Sequence, residues 1–281
     1  MKKDLSLKKM VSSCESFDKT LLEHQAKSVT KLPISLVVIA LNEEAHIDRC
    51  IRSVPFADDV VVVDSFSTDC TVEIAEKAGA RVFQEKWRGF GPQKAFAAAQ
   101  AKNHWILSLD ADEALSPELA SEIVAQFASL DPEAGYLFPR KSFHMGRWIM
   151  HGGWYPDFQL RLFNKAQSRW NSANVHEKVE VKTVLKMKAP LLHYVFDDLS
   201  DQVVTNDRYS SLGARELQAK GYSFSYLKMV FKPFGKFVET YFVKAGFMDG
   251  LPGFVIAIGA AYSLFLKYVK LWELERVKEN N

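Results

Sequence analysis

Asn103-His-Trp-Ile-Leu-Ser-Leu-Asp110-Ala-Asp112-Glu113 is the stretch whose reading decides the fold. The apolar run Trp105 to Leu109 reads as a buried strand, and it stops at three acids within four residues. Residues i and i+2 of a strand point the same way, so the pattern predicts that Asp110 and Asp112 aim both carboxylates at one point while Glu113 points elsewhere. Two hard oxygen ligands at the end of a buried strand suit a divalent cation such as Mg²⁺ or Mn²⁺, with room left for water and a phosphate. The competing reading is a strand running into a helix cap. Ser116-Pro117-Glu118 soon opens a helix, and acids are common at helix N-termini.

What precedes this strand decides between the two. Ile34 to Ile39 is a continuous β-branched and apolar run, as expected of a parallel strand covered on both faces. The polar turn Asn42-Glu43-Glu44 follows, then a helix over Ala45 to Val54 with Ile47, Cys50, Ile51 and Val54 on one face. A second strand, Asp59 to Val63, ends at Asp64, and the cap-rich turn Ser65 to Asp69 leads into a helix from Cys70 to Ala78. Arg81 to Gln84 is a third strand, Gln93 to Ala101 an Ala-rich helix, and the opening strand comes next. Alternation with such short connections predicts an α/β fold: an open, mainly parallel sheet with helices on both faces. Ligands of such sheets sit beyond the carboxyl ends of the strands. The polar turns at 42–44, 64–69 and 110–113 should therefore line one crevice. Neither a G-x-G-x-x-G fingerprint nor a P-loop is present, so any nucleotide must be held by carboxylates, polar turns and a metal.

Composition narrows the class. The chain has 281 residues, 48% of them hydrophobic and 25% charged, which allows one large domain or one domain with an appendage. A net charge of only +2 provides no global field for nucleic acid. The three cysteines, Cys14, Cys50 and Cys70, lie at unrelated spacings and suggest neither a disulfide framework nor a zinc site. Residues 1–32 read as a mobile tail, with one short helix near Phe17 to Gln25.

Three blocks together carry a family resemblance: Val37-Val-Ile-Ala-Leu-Asn42-Glu43-Glu44, Val62-Val-Asp64-Ser-Phe-Ser67-Thr68-Asp69-Cys-Thr71, and Leu109-Asp110-Ala-Asp112-Glu113. In order and spacing they resemble the GT-A fold, family 2 glycosyltransferases. Downstream, Gly152-Gly153-Trp154-Tyr155-Pro156-Asp157, Arg161-Leu-Phe163, Trp170 and Val175-His176-Glu177 look like the branch that includes lipopolysaccharide core glucosyltransferases, and within it the type that glucosylates an inner-core heptose. The resemblance implies inverting transfer of a hexose from a nucleotide-sugar, glucose from UDP-glucose, onto a lipid-linked saccharide. It also implies a divalent metal. A polyprenyl-phosphate acceptor, or a nucleotide-sugar-binding scaffold without activity, are the alternatives.

Physics assigns roles within that implication. The leaving group is a diphosphate, so a metal bridging the phosphates lowers the barrier. Asp112 is the expected direct metal ligand, with Asp110 on the ribose or a metal-bound water and His193 a late third ligand. Asn42, Glu43 and Asp64 are expected around the ribose or base, and Lys94, on the first turn of its helix, at the diphosphate. Asp69 reads as the cap of the helix at Cys70. Glu177 and Asp157 are the candidate general bases for the acceptor hydroxyl, and His176 could orient substrate. For Asp157 a structural pairing with Arg161 competes. Trp148, Trp154 and Tyr155 look like a loop that stacks on a sugar, with a packed satellite core as the alternative.

Residues 220–281 hold nine Lys or Arg and five acids, a local excess of +4. Phe224, Leu227, Phe231, Phe234, Val238 and Phe242 recur at three and four, with Lys228, Lys232 and Lys236 on another stripe. The pattern predicts a basic amphipathic helix, bent or restarted at Pro233. Phe254 to Leu266 gives about 20 Å of helix, short of a bilayer's hydrocarbon core, so a helix lying in the interface or inserted part way is expected rather than a span, with a packed helical hairpin free of lipid as the alternative. The expected layout is a tail over 1–32, a nucleotide-sugar-binding half over 33–140, an acceptor-binding and catalytic half over 141–215, and a helical membrane-associating region over 216–281. The expected location is peripheral, on the cytoplasmic face of the inner membrane, against an anionic surface.

Overall fold

A computed structural model describes residues 30–170, 179–196 and 198–279. The chain forms two compact units, Met1–Arg140 with Phe158–His193, and Lys141–Asp157 with Tyr194–Asn281. Glu177, His176 and most of the expected tail lie outside the described residues.

The first unit is built on the predicted alternation. Strand β1 (Leu32–Ala40) pairs in parallel with β2 (Ala57–Asp64) on one side and β4 (Trp105–Asp110) on the other, and β2 pairs in parallel with β3 (Arg81–Gln84). The register sets Ala40 beside Asp64 and Ile39 beside Asp110, so three strands end at one level. These strands are continuously apolar because both faces are covered. Helices α1 (Ile47–Arg52) and α2 (Thr71–Lys77) put Ile47, Cys50, Ile51 and Ala75 into a core with Leu36, Val38, Val62, Leu107 and Leu109. Helix α3 (Phe90–Gln100) packs Ala97 and Ala98 against Val37, Val61, Val63 and Ile106 on the other face. Small alanines let a helix approach a sheet of valines closely. Burying side chains such as Leu107 and Leu109 completely contributes about 1.5–3 kcal/mol each.

Beyond β4 the sheet departs from the expected parallel pattern and becomes mixed. The spatial order is β3-β2-β1-β4-β8-β6-β12-β5, where β5 is Glu113–Leu115, β6 Ala134–His144, β8 Asp157–Asn164 and β12 Leu191–Tyr194; the short strands β7 (Arg147–Trp148), β9 (Arg169–Trp170), β10 (Val179–Glu180) and β11 (Thr183–Lys186) lie off this path. Strand β8 runs antiparallel to β4, with Leu107 beside Leu162, and β12 runs antiparallel to β5, with His193 beside Glu113. Helix α4 (Pro117–Gln126) starts as its sequence predicts: Ser116 Oγ accepts from the Leu119 amide and Pro117 occupies the first turn.

The second unit is helical. Helix α5 (Leu199–Ala219) is polar, and α6 (Tyr226–Val238) runs through Pro233 as one assigned helix instead of restarting there. A π-helical turn, Glu239–Val243, and a 3-10 turn, Gly246–Asp249, lead into α7 (Gly250–Glu279). A Cβ on Gly253 would sit 1.8 Å from the Gly246 carbonyl oxygen, so this entry into α7 requires glycine. At 30 residues, α7 far exceeds the thirteen expected, and the segment Gly246–Val277 is long and apolar enough to cross a membrane by length and composition. The shorter expectation counted the lysines past Leu266 as the end of the apolar run. In the fold Lys270 turns to α5, where Nζ meets Asp207 Oδ1 at 2.6 Å and Ser211 Oγ at 2.7 Å.

Candidate functional site

The site assembles where β1, β2 and β4 end. The first two polar turns are stitched together. The Asn42 amide donates to Ser67 Oγ at 2.8 Å, Asn42 Oδ1 accepts from the Thr68 amide at 2.8 Å, and the Glu43 amide donates to Thr71 Oγ1 at 2.7 Å. Asn42 has a φ of 56°, the left-handed region that Asn tolerates better than most residues. Glu44 and Asp69 complete the stitching, because the Glu44 amide donates to Asp69 Oδ2 and the Cys70 amide to Glu44 Oε2. Asp69 Oδ1 accepts from the Thr71 amide at 3.0 Å from one residue before the N-cap, which is Cys70 and not Asp69 as the sequence setting suggests. Asp64 is fully buried at the end of β2, where its carboxylate accepts from the Ser67 amide and hydroxyl and from Gln84 Nε2. Asn42 and Asp64 are therefore anchored within the two stitched turns, and Glu43 is half-buried beside them.

The third turn behaves differently from its expectation. Strand β4 ends at Asp110 and a turn at 111–112 breaks the alternation. Asp110 and Asp112 therefore do not aim at one point. Asp110 Oδ1 lies 2.5 Å from Lys94 Nζ, and Oδ2 accepts from Arg161 Nη2 at 2.5 Å. Lys94 reaches it from the second turn of α3, not the first, because that helix begins at Phe90. Asp112 Oδ2 faces His193 Nε2 at 3.2 Å, brought there by the pairing of β12 with β5. Among the described residues no group of three or more His, Cys, Asp or Glu converges to hold a metal.

Glu113 is 1% exposed and holds the turn from beneath. Its Oε2 accepts from the Asp110 amide at 3.1 Å, and its Oε1 accepts from Arg161 Nη2 at 2.6 Å and Arg140 Nη1 at 3.3 Å. Arg161 does not take Asp157 as its partner. Positions four apart in a strand share a face but stand about 13 Å apart, and Arg161 turns to the neighbouring strand instead. Burial pushes the Asp110 carboxyl up, but Arg161 and Lys94 outweigh it and hold it well below the usual carboxylate range. Burial works against the charge on Arg161, but Asp110 and Glu113 outweigh it and raise its pKa. Under the turn, burial and then the acids Glu113, Asp112 and Asp110 push the Cys50 thiol well up, so this buried cysteine is no nucleophile.

A cavity of about 670 Å³ opens beside this network, lined by Lys94, Ser108, Asp110, Arg140 and Arg161 together with apolar residues such as Leu137 and Phe158. The donors at Asp112 and His193 fit a divalent cation. An oxygen and an imidazole nitrogen 3.2 Å apart match adjacent positions round an ion, whose ligands at about 2.1 Å and right angles stand about 3 Å apart. Asp110, held by two cations, is the poorer candidate for direct ligation.

The other expected residues fall in the second unit or outside the described ones. Asp157 is half-buried at the start of β8. Trp154 packs with His144 and Phe196, and Trp148 packs with Phe143 and Tyr194. Sequence reasoning missed Arg161 and Glu113 as a pair. The available signal was an arginine flanked by Leu160 and Leu162 on a strand, since a buried guanidinium needs a carboxylate.

The family model "Glycosyl transferase family 2" matches residues 35–189. An uncharacterized glycosyltransferase of Rickettsia typhi is 34% identical over 260 residues, covering 88% of this chain and 89% of its own. The lipopolysaccharide core biosynthesis glycosyltransferase LpsC of Rhizobium meliloti is 31% identical over 258 residues, covering 89% of this chain and 96% of its own. A solved glucosyl-3-phosphoglycerate synthase from Mycobacterium tuberculosis, complexed with Mn²⁺ and UDP, is 29% identical over 45% of this chain and 48% of that one. Its TM-score of 0.33 is too low to carry weight. The match across more than half the chain, together with full-length relatives above 30% identity, makes this protein a member of glycosyl transferase family 2, and its chemistry is glycosyl transfer.

Proposed function

We propose that the enzyme is inverting and metal-dependent and moves a hexose, glucose from UDP-glucose, onto the lipid-linked saccharide of a lipopolysaccharide inner core. The observation that carries the site reading is that the turn ending β4 holds two close pairs, Asp110 with Lys94 and Asp112 with His193. The acceptor class rests on the full-length likeness to LpsC. In this reading Asp112 and His193 hold the cation, which when bound neutralises charge on the departing diphosphate. Lys94 adds a fixed positive charge on the same side, and Asp110 orients Lys94 while offering its outer edge to the ribose. Asn42, Glu43 and Asp64 shape the base and ribose pocket. Glu177, or Asp157, takes the proton of the attacking hydroxyl, and His176 orients substrate.

The membrane reading is part of the same proposal. Helix α6 exposes Tyr226, Leu227, Val230, Phe231 and Phe234 alongside Lys228, Lys232 and Lys236, a composition that suits an anionic bilayer surface. Its length allows α7 to span, but α7 is packed along polar α5. Gly259 lies against Gln202 and Asn206, Lys270 bonds Asp207, and Gln218 donates to the Leu274 carbonyl. Moving α7 through hydrocarbon would drag in Asp207, Arg208, Arg215 and Glu216, at about 3 kcal/mol for each charge at mid-depth. Lying in the interface, on the cytoplasmic face of the inner membrane, is the reading that avoids this.

A donor screen tests the function: UDP-, GDP- and ADP-sugars with Mn²⁺ or Mg²⁺, assayed for transfer to purified inner-core acceptors. Transfer from UDP-glucose is the expected result. Transfer only from a GDP- or ADP-sugar, or only to polyprenyl phosphate, would overturn it. Flotation with anionic liposomes tests the membrane reading, which fails if Leu227, Phe231 and Phe234 all changed to Ser leave binding intact.

A further inference from the structure

Arg161 is 6% exposed, yet it spends a single nitrogen on two carboxylates: Nη2 donates to Asp110 at 2.5 Å and to Glu113 at 2.6 Å. Its Nε is buried with no hydrogen-bond partner among the described residues. Glu113 returns the connection, because its other oxygen accepts from the Asp110 amide at 3.1 Å. The contacts close a ring. It runs from Arg161 through the Asp110 side chain and main chain to Glu113 and back to Arg161, and it encloses the Ala111-Asp112 turn. The ring buries two charged side chains, Arg161 and Glu113, and partly buries Asp110, where apolar residues would serve stability as well or better. A buried ionic ring with an unsatisfied Nε is an expensive way to hold two strands together. It is an effective way to fix where two acids at a turn point.

We propose that Arg161 and Glu113 are positioning residues for glycosyl transfer. Through the ring they hold Asp110 against Lys94 and turn Asp112 toward His193, so the donor's diphosphate and its cation meet a preset geometry. This rests on the reading of Asp110 and Asp112 as donor-side groups. Glu113 is buried, and Arg161, although it reaches the cavity wall, is committed to Asp110 and Glu113. They act through Asp110 and the turn, and a misplacement of about 1 Å at such a site costs about 10²-fold in rate. Since one nitrogen serves both carboxylates, a lysine ammonium at position 161 can take its place in part, which a bidentate guanidinium contact would not allow.

Activity of the full chain on its donor and acceptor, with Mn²⁺ present, provides the test, alongside thermal melting of each variant. Arg161→Met is expected to lower kcat/KM about 10²-fold with donor KM raised, and Arg161→Lys to recover about a tenth of wild-type kcat/KM or more. Acting through Asp110 has a sharper signature: in an Asp110→Asn background, Arg161→Met should add less than about threefold. Additive losses, or an Arg161→Met enzyme that melts normally and works within about threefold of wild type, would overturn the proposal. If Arg161→Met does not fold, the isosteric Glu113→Gln carries the test. A raised donor KM supports the ring, and wild-type kinetics sink it. Asp112→Ala separates the two levels: full activity there would defeat the site reading itself, whereas an inactive Asp112→Ala beside an untouched Arg161 variant would defeat only the ring.

Discussion

Two aspartates sit at opposite ends of the same sheet, and both are met by an arginine. Asp59, the third residue of β2, is 4% exposed and accepts from Ser35 Oγ at 2.6 Å, the Lys102 amide at 2.9 Å and Arg81 Nη2 at 2.8 Å. Those donors tie β1, β3 and the segment entering β4 to one carboxylate. Asp110, the last residue of β4, is met by Lys94 and Arg161, and its side chain remains 31% exposed beside a cavity. Around Asp110 and Glu113 stand Lys94, Arg140 and Arg161, with the Asp112 carboxylate in the same turn. Asp59 is saturated by buried hydrogen bonds, whereas Asp110 keeps an exposed edge beside the cavity. The same side-chain chemistry is buried where strands begin and reaches a cavity where parallel strands end, the edge at which ligands of such sheets sit.

Breaking the comparison should give opposite phenotypes. Asp112→Ala removes the carboxylate facing His193 and should lower kcat/KM by about 10³-fold or more while the melting temperature holds, checked by transfer assay and calorimetry. Lys94→Met should cost about 10²-fold in kcat, the size of losing one charge-stabilising donor, and again leave folding intact. Asp59→Ala should do the reverse. Leaving Arg81 and the Lys102 amide without their partner destabilises by about 3 kcal/mol, read in denaturant titration, with kcat/KM of the folded enzyme within about threefold of wild type.

A smaller effect sharpens the Asp59 side. Burial raises its carboxyl, but the Lys102 amide, Ser35 and Arg81 outweigh it and lower the pKa below the ordinary value. A lowered folded-state pKa stabilises above the unfolded carboxylate value, and that contribution drains away as pH falls below it toward the folded value. Asp59→Asn should therefore flatten the loss of stability with acid below about pH 4, measured as the denaturation midpoint against pH. An unchanged acid slope would remove Asp59 from the account of acid stability.

Much of the first unit is legible in the sequence, because its signals are local. Continuous apolar runs at 34–39, 59–63 and 105–109 mark doubly covered strands, and the acids and amides after each mark a common edge. The cap at Ser116-Pro117 and the contact of Asp69 with the Thr71 amide are local too. What stays hidden depends on register between distant segments. Strand β8 lies beside β4 across about fifty residues of chain, and only that pairing sends Arg161 to Asp110 and Glu113. The i, i+2 argument for Asp110 and Asp112 failed because a turn begins one residue after the strand ends, a boundary the apolar run does not mark. The pairing of His193 with Asp112 needs β12 against β5, another long-range contact. The length of α7 was underestimated because Lys270, which reads as a stop in sequence, is absorbed by Asp207 and Ser211 on a helix sixty residues away.

In the proposed function, the turn from Asp110 to Glu113, with His193, receives the donor's diphosphate and its cation. Binding of UDP measured by calorimetry with and without Mn²⁺, in wild type and in Asp112→Ala, tests it most directly. UDP should bind wild type tightly only with Mn²⁺, and Asp112→Ala should lose that Mn²⁺ dependence while the fold persists. UDP affinity that is the same in both proteins, with or without the metal, would contradict it.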